Sequence, residues 1–394
     1  MSARTAVLMV FALHGAVYGS WAARVPALAE QVDARPGGLG LALLGTSIGM
    51  VAAALLTGRL CAAVGSRIVV IVCGLGCSLL VPLLGLASSI PLLGVTLAGL
   101  GAMVGAMDVS MNVAATTVIR RLSRPIMPQF HAFFSFGGLA GALGAGVAAA
   151  HHWSPLRHLL VVAVLGVSTV LLAARSLPVE PKIDEPAPHP SRRDLLRRPL
   201  LWLLATIALC SAIAEGVNAE WSALFLVRER HVAEAAATTA YSLFSLAMAL
   251  TRLFGERFES SSGPYRVLVT GAVIAATGLL AAAVIPVAAV GYAGFALAGT
   301  GLAFCFPMTL GLAGRAGQRA DGTGGEQEIG FVTTIAYSGF LSGPPLVGWI
   351  AQATNLAVAL GVVGGIVALV PLAVRASALA RRREEHAHLP RHRS

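Results

Sequence analysis

The chain is 394 residues long, 56% hydrophobic and only 12% charged, with a mean hydropathy of +0.79 and a formal net charge of +10. A soluble domain carries roughly 25% charged residues, so half that supply cannot build a water-facing surface, and lipid has to cover much of the molecule. The basic excess is arginine, with Lys182 the one lysine, and it lies scattered in short loops rather than on one patch, which excludes a nucleic-acid partner.

A membrane span needs about 20 mostly apolar residues. The first candidate, 5–28, follows Arg4 and taken alone resembles a signal peptide; eleven further spans follow it, so it is read as a retained helix. His14, Tyr18 and Trp21 share one of its faces. Aromatic rings with polar tips suit stacking on a sugar ring, and they suit helix packing equally. Arg24 closes the span at its outer end. The second span, 39–61, runs into a turn containing Gly58, Arg59, Gly65 and Arg67, and the third covers 67–88.

The fourth span, 91–117, carries Gly101, Gly105, Asp108, Asn112 and Thr116 at intervals of three or four, one helical stripe of small and polar groups. A charge at the bilayer centre costs roughly 2.5–3.5 kcal/mol, so an intramembrane acid is a functional candidate. Asp108 is read as a proton-coupling or substrate-binding carboxylate with Asn112 as its neighbour; the alternative is a structural carboxylate tied to a nearby Arg or Asn. The fifth span, 130–150, begins beside Gln129 and His131, a residue suited to relaying protons or to capping at the interface. The sixth covers 157–175.

Residues 177–198 form the longest polar stretch, rich in proline and charge, which cannot enter the bilayer and reads as a cytoplasmic linker. It separates a bundle at 1–176 from a second at 199–376, with a basic tail at 377–394. In the second bundle the spans fall at 200–224, 236–255, 265–286, 289–314, 329–351 and 356–374. The first of these carries Glu215 on a stripe with Ser211, Asn218 and Ser222. Glu220 lies on another face, nearer the outer surface, and Trp221 suits an interfacial belt. Pro307 and the pair Pro344, Pro345 mark expected bends.

Orientation follows the basic residues. With the N-terminus inside, only Arg24, Arg35, Arg157, Arg228 and Arg230 of the 28 fall outside, which predicts an even span number with both termini cytoplasmic. The pairs Gly45/Gly49, Gly101/Gly105, Gly339/Gly343 and Gly361/Gly365 have the spacing that lets membrane helices approach closely. Cys61, Cys73, Cys77, Cys210 and Cys305 lie in or beside apolar runs and read as small buried residues; no metal-ligand spacing occurs.

The two bundles echo each other. Ser20-Trp21-Ala22-Ala23 matches Glu220-Trp221-Ser222-Ala223, and Thr57-Gly58-Arg59-Leu60 matches Leu250-Thr251-Arg252-Leu253. Gly99-Leu100-Gly101 matches Gly299-Thr300-Gly301, and the glycines around Gly137 match Gly339 and Gly343. Four matches in order point to duplication, with parallel halves and a site between them.

Twelve spans split six and six, the long central loop, and the turn Gly58-Arg59-Leu60-Cys61-Ala62-Ala63-Val64-Gly65-Ser66-Arg67 resemble the major facilitator superfamily. Its signature there is G-x-L-x-[DE]-[RK]-x-G-[RK]-[RK]; Ala62 and Ala63 replace the acid and the base. The half-repeat turn around Arg252, Glu256 and Arg257 keeps both, so the inner gate is expected to rest more on the second half. Gly19-Ser20-Trp21 through Arg24-Val25-Pro26, and Met107-Asp108-Val109-Ser110-Met111-Asn112, resemble the fucose permease type of sugar/proton symporter.

The resemblance implies an all-α membrane protein of twelve transmembrane helices in two six-helix bundles related by pseudo-twofold symmetry. It implies a monomer in the cell membrane that carries a small polar solute, such as a sugar, together with protons. It also implies that spans 1, 4, 7 and 10 line the cavity. On this frame Arg24 is expected to pair with Glu220 or Glu215 as an outer gate, against the plainer reading that Arg24 snorkels to the interface. Drug or metabolite efflux is the alternative within transport; the scarcity of acids in the cavity helices weighs against an antiporter of cationic drugs. A membrane sensor is the reading outside transport. No loop offers a catalytic set, a metal cluster or a phosphate-binding glycine loop, the turn Asp321 to Glu326 following no strand, so neither an enzyme nor a cofactor is expected.

Overall fold

A backbone in hydrocarbon has no water to bond and must satisfy its own N–H and C=O groups, which leaves helices as the economical solution for this composition. The computed structural model describes residues 1–122, 126–179, 195–317 and 326–387, and their regular structure is helical throughout. Most of the predicted linker (180–194), the turn 321–325, the end of the tail (388–394), Arg124 and the side chain of Glu256 lie outside the described residues.

The first half comprises α1 (Ala3–Ala22), α2 (Val25–Gln31), α3 (Pro36–Val64), α4 (Ser66–Leu80) prolonged by a 3-10 turn (Val81–Leu86), α5 (Ile90–Leu122), α6 (Met127–Ala150) and α7 (Pro155–Ala174). The second comprises α8 (Pro199–Arg230), α9 (Glu234–Ala237), α10 (Thr239–Leu253), α11 (Gly255–Ser262), α12 (Pro264–Val284), α13 (Ala288–Leu302), α14 (Cys305–Gly317), α15 (Glu326–Ala353), α16 (Leu356–Ala368) and α17 (Val370–Ala387). Helix starts carry the expected chemistry. Ser2, Ser154 and Asn355 accept from the N–H three residues on, and proline stands in the first turn of α3, α7, α8 and α12, where its missing N–H costs nothing.

Among the described residues ten segments are long and apolar enough to cross a membrane. The other two predicted positions hold α10, of 15 residues, and α15, of 28. The eighth span is thus three short helices in line, α9 to α11, interrupted at Thr238 and Phe254. Apolar side chains such as Leu79, Val95, Val164, Leu172 and Val284 stand exposed around the outside, a surface only lipid can cover.

The duplication is visible in register and packing. Pro36 and Glu234, Ser66 and Pro264, and Ile90 and Ala288 begin equivalent helices at one constant separation. Gly65 and Gly263, the same distance apart, both take left-handed φ values, 86° and 76°, at the turns that precede α4 and α12. Within the first half α1 packs on α6 and α7, α3 on α5, and α4 on α5 and α7; within the second α8 packs on α15 and α16, α10 on α13, and α12 on α13 and α16. The halves meet through α3 on α15 and α6 on α10, which exchange under the same relation.

This register corrects two sequence matches, the first by setting Gly101 opposite Gly299 and not Gly301: a Cβ at Gly101 would meet the Thr46 carbonyl and one at Gly299 the equivalent Phe244 carbonyl. Aligning Gly65 with Gly263 places Arg257, not Arg252, opposite Arg59. Arg252 lies more than two turns before the loop, inside the bundle. The bend expected at Pro307 is present as the break between α13 and α14, whereas α15 continues helical through Pro344 and Pro345.

Two of the four glycine pairs make the close approach their spacing suggests. A Cβ at Gly49 would overlap the Ala98 carbonyl and one at Gly101 the Thr46 carbonyl, so α3 and α5 touch backbone to backbone. Gly365 has open space beside it. The halves close on each other in the same way at the end where α3 begins: a Cβ on Gly40 would lie 2.7 Å from the Pro344 oxygen and 3.0 Å from the Gly348 Cα. On the opposite side Arg198, where the linker meets α8, reaches Glu328 on α15 at 3.2 Å, Glu384 on α17 at 2.8 Å and the Ala316 carbonyl at 2.8 Å.

Gly101→Val should therefore destabilise the purified protein by about 1–3 kcal/mol or prevent folding, because backbone cannot retreat from the added methyls. Gly365→Ala should change stability by less than about 1 kcal/mol. Thermal unfolding in detergent measures both.

Candidate functional site

Polar side chains that a bilayer makes expensive collect on the seam between the halves. At one end of the seam stands Arg24, at the turn joining α1 to α2 and only 2% exposed. Its Nη2 donates to the Trp153 carbonyl at 2.7 Å, and its Nε lies 3.4 Å from Glu234 Oε1 on α9. Arg24 does pair across the halves, but with Glu234 in place of the expected Glu220 or Glu215. The reason is reach: the α1–α2 turn lies level with the first residue of α9, while Glu220 and Glu215 lie deeper on α8. Arg228 on α8 donating to the Ala34 carbonyl at 3.2 Å, and the Gly37 N–H donating to Gln352 at 3.2 Å, complete this outer seam.

Below it, Tyr18 donates to Glu220 Oε1 at 3.5 Å from the other half. Glu220 is 4% exposed and its Oε2 has no hydrogen-bond partner. Tyr18 meets Trp21 edge-on at 5.3 Å and faces Tyr241 of α10 at 6.5 Å. Tyr241 lies within electrostatic reach of Glu215, Arg252 and Glu220.

Deeper again, Arg252 Nη2 stands 4.0 Å from Glu215 Oε1, while its Nε donates to the Ala303 carbonyl at 3.1 Å and its Nη1 to Ser135 Oγ of the first half at 3.4 Å. The third carboxyl, Asp108, accepts from Asn112 Nδ2 at 3.4 Å and, across the seam, from Tyr337 of α15 at 3.4 Å. Ser47 donates to the Phe340 carbonyl at the same junction, 2.5 Å away. Three carboxyls thus share the interior with one guanidinium.

The remaining predicted residues divide. His14 is buried, with Nδ1 3.3 Å from Met111 Sδ and its ring edge-on to Phe134 at 5.3 Å. His131 is half-buried and meets Phe11 edge-on at 5.4 Å. Trp21 is wholly buried. Asn218 is also wholly buried and spends its Nδ2 on the Ala214 carbonyl at 2.6 Å. Trp221 is 2% exposed among Val217, Phe225, Phe295 and Leu360, inside the second bundle, so it forms neither an interfacial belt nor part of the outer seam. Gly58 and Arg59 are exposed at the end of α3, and Arg257 is exposed on α11. Arg67 donates to the Ala174 carbonyl at 3.1 Å, within its own half. Among the described residues no cluster of His, Cys, Asp and Glu side chains could hold a metal.

Sequence reasoning missed Tyr337, Tyr241, Ser135 and Glu234. A hydroxyl-tipped ring inside a span was signal enough for Tyr241 and Tyr337, the same signal that singled out Tyr18. Glu234 carried none, since it stands where a loop acid is ordinary.

Arg24→Glu should open the outer seam by setting two carboxylates against each other, and adding Glu234→Arg should partly restore it, the Trp153 contact remaining lost. The rate at which an impermeant maleimide labels Ala34→Cys, at a position now 4% exposed, should rise severalfold in the single variant and fall again in the double.

Residues 6–325 match the family model of the Major Facilitator Superfamily. An uncharacterized MFS-type transporter of Yersinia pestis is 32% identical over 96% of each chain, and the membrane protein MosC of Rhizobium meliloti is 29% identical over 90% of this chain and 85% of its own. Among solved structures, a mutant of the nucleoside transporter NupG superposes with a TM-score of 0.78 at 12% identity, covering 95% of this chain and all of that one. A bacterial homologue of the human lysosomal transporter Spinster, inward-facing and occupied, gives 0.68 at 15% identity over 96% of both. These superpositions show the fold, and the family model with the 32% relative shows the lineage: the chain belongs to the major facilitator superfamily, a family of multi-pass membrane transporters and not of enzymes.

Proposed function

We propose that the chain is a proton-coupled secondary transporter that moves a small polar solute, such as a sugar or a related metabolite, by alternating access. The observation that carries this reading is Asp108. It is an interior carboxyl bonded to Asn112 in its own half and to Tyr337 in the other, and among the described residues it forms no ion pair. A group so placed takes up a proton at the contact that must break and re-form as the halves rock, which joins the proton's free energy to the conformational change.

The bundles 1–176 and 199–376 are the moving bodies, 177–198 is their linker and 377–394 a cytoplasmic tail. The distribution of basic residues supports a cell-membrane orientation with both termini inside, and two bundles with a site between them are self-sufficient as a monomer. With that orientation the Arg24–Glu234 seam is the outer gate, and Gly58, Arg59, Gly65, Arg67, Glu256 and Arg257 belong to the inner loops. Asp108, Asn112, Glu215, Tyr18 and His131 are the nearest candidates for solute and proton. The polar rings of Tyr18 and Tyr241 suit hydroxylated solutes. They are compatible with the fucose permease type of symporter, and NupG, with the same fold, is named for nucleosides, which carry sugar hydroxyls.

Proteoliposomes with an imposed proton gradient test the reading. Wild type should accumulate solute when the gradient is applied and lose accumulation when it is collapsed. Asp108→Asn should abolish gradient-driven accumulation while leaving solute exchange at equal pH intact. Flux indifferent to the gradient would overturn proton coupling, and an Asp108→Asn protein that still accumulates would return Asp108 to a structural role.

A further inference from the structure

Glu220 is the interior carboxyl that neither an arginine nor the proposed proton site accounts for. Glu215 has Arg252, and Asp108 has two neutral donors. Glu220 has only the Tyr18 hydroxyl at 3.5 Å, with Oε2 unpartnered in a residue 96% buried, or 4% exposed. A buried carboxyl carries a full negative charge only with a positive group beside it, and the unfilled Oε2 leaves room for one to pair. Hard metal cations need several oxygens at once, and the acids here come singly.

What does surround Glu220 is aromatic. Tyr18, half-buried, and Tyr241 of the opposite half stand with ring centroids 6.5 Å apart and planes tilted by 57°. Phe244 stacks behind Tyr241 at 6.1 Å and Trp21 stands edge-on to Tyr18 at 5.3 Å. Tyr241 is held from the first half as well, since a Cβ on Gly138 would lie 3.4 Å from its hydroxyl. Tyr18 turns its hydroxyl, not its ring face, to Glu220, so the carboxyl and the phenol tips beside it offer a solute carrying both an ammonium and hydroxyls a partner for each. Among the described residues Arg252 is the cation that the neighbouring elements bring near, and Glu215 already faces it.

We infer that Glu220, with the rings of Tyr18 and Tyr241, is the seat of a positively charged nitrogen on the solute, so that the cargo is a small hydroxylated amine. This rests on the transport reading above and narrows it. Asp108 serves the proton, Glu220 the ammonium, and the Tyr hydroxyls the solute's own hydroxyls. The seat is built from both halves, so a solute bound there touches both.

The test pairs glucosamine, ethanolamine and choline with their uncharged counterparts glucose and glycerol, against purified full-length protein. The charged members should raise the unfolding midpoint by roughly 2–4 °C at saturating concentration and the neutral ones should not. Glu220→Gln should lose the response while unfolding near the wild-type midpoint without solute, since an amide of the same shape replaces the carboxyl. Tyr18→Phe, which keeps the ring, should weaken the response severalfold without abolishing it. Equal stabilisation by glucose or glycerol, silence from every amine, or a full amine response in Glu220→Gln overturns the ammonium seat. Gradient-driven uptake separates this from the broader reading. Accumulation of a neutral sugar alone would sink the ammonium seat and leave proton coupling standing, whereas amine binding without any proton-driven flux would do the reverse.

Discussion

An ionised group inside a lipid-bound bundle has to find compensation within the protein, and the organisation of this molecule turns on how its few interior charges do so. Glu215 and Arg252 compensate each other on adjacent helices of one half, and Arg252 spends its remaining donors on the Ala303 carbonyl and on Ser135 of the other half. Asp108 is met by amide and phenol, and Glu220 by a single phenol. Each of these arrangements either crosses the seam or ends on it. Removing one partner of a buried pair costs far more than the pair contributes, so the seam is where the molecule is chemically committed. The bundles themselves are held by apolar and glycine-lined contacts that tolerate sliding.

The duplicated architecture makes the differences between the halves informative. α3 is one continuous helix, whereas its counterpart is divided among α9, α10 and α11. The interruption at Thr238 sets Glu234 on a separate short helix, where it meets Arg24, and the interruption at Phe254 follows directly on Arg252. The second half thereby acquired an interior cation and an outer acid for which the first half has no equivalent on α3. Opposite Arg59 stands Arg257, so the loop arginine is shared while the interior one is not.

Much of this was legible in the order of residues. Hydropathy marked the spans and the basic residues their alternation. The carboxyls at Asp108, Glu215 and Glu220 were conspicuous because a span can carry so few. The partners were not legible. Tyr337 lies on the eleventh span and Asp108 on the fourth, and only the packing of α15 against the first half brings them together. Glu234 was invisible for a different reason: an acid just outside an apolar run looks solvated until a turn from another helix descends on it. The match of Leu250 to Leu253 with the second span was misled by composition, and the left-handed glycines Gly65 and Gly263, which chain geometry rather than chemistry makes equivalent, give the true register. Trp221 looked interfacial from its place near a span end, but α8 runs on to Arg230, which carries the membrane boundary past it.

Arg198 stands at the junction between linker and second bundle, gripping carboxylates from α15 and α17 and a carbonyl from α14. Three separate helices are thereby clamped at the point where the chain arrives. A pull on the chain at that point loads three helices together instead of unravelling the first turn of α8.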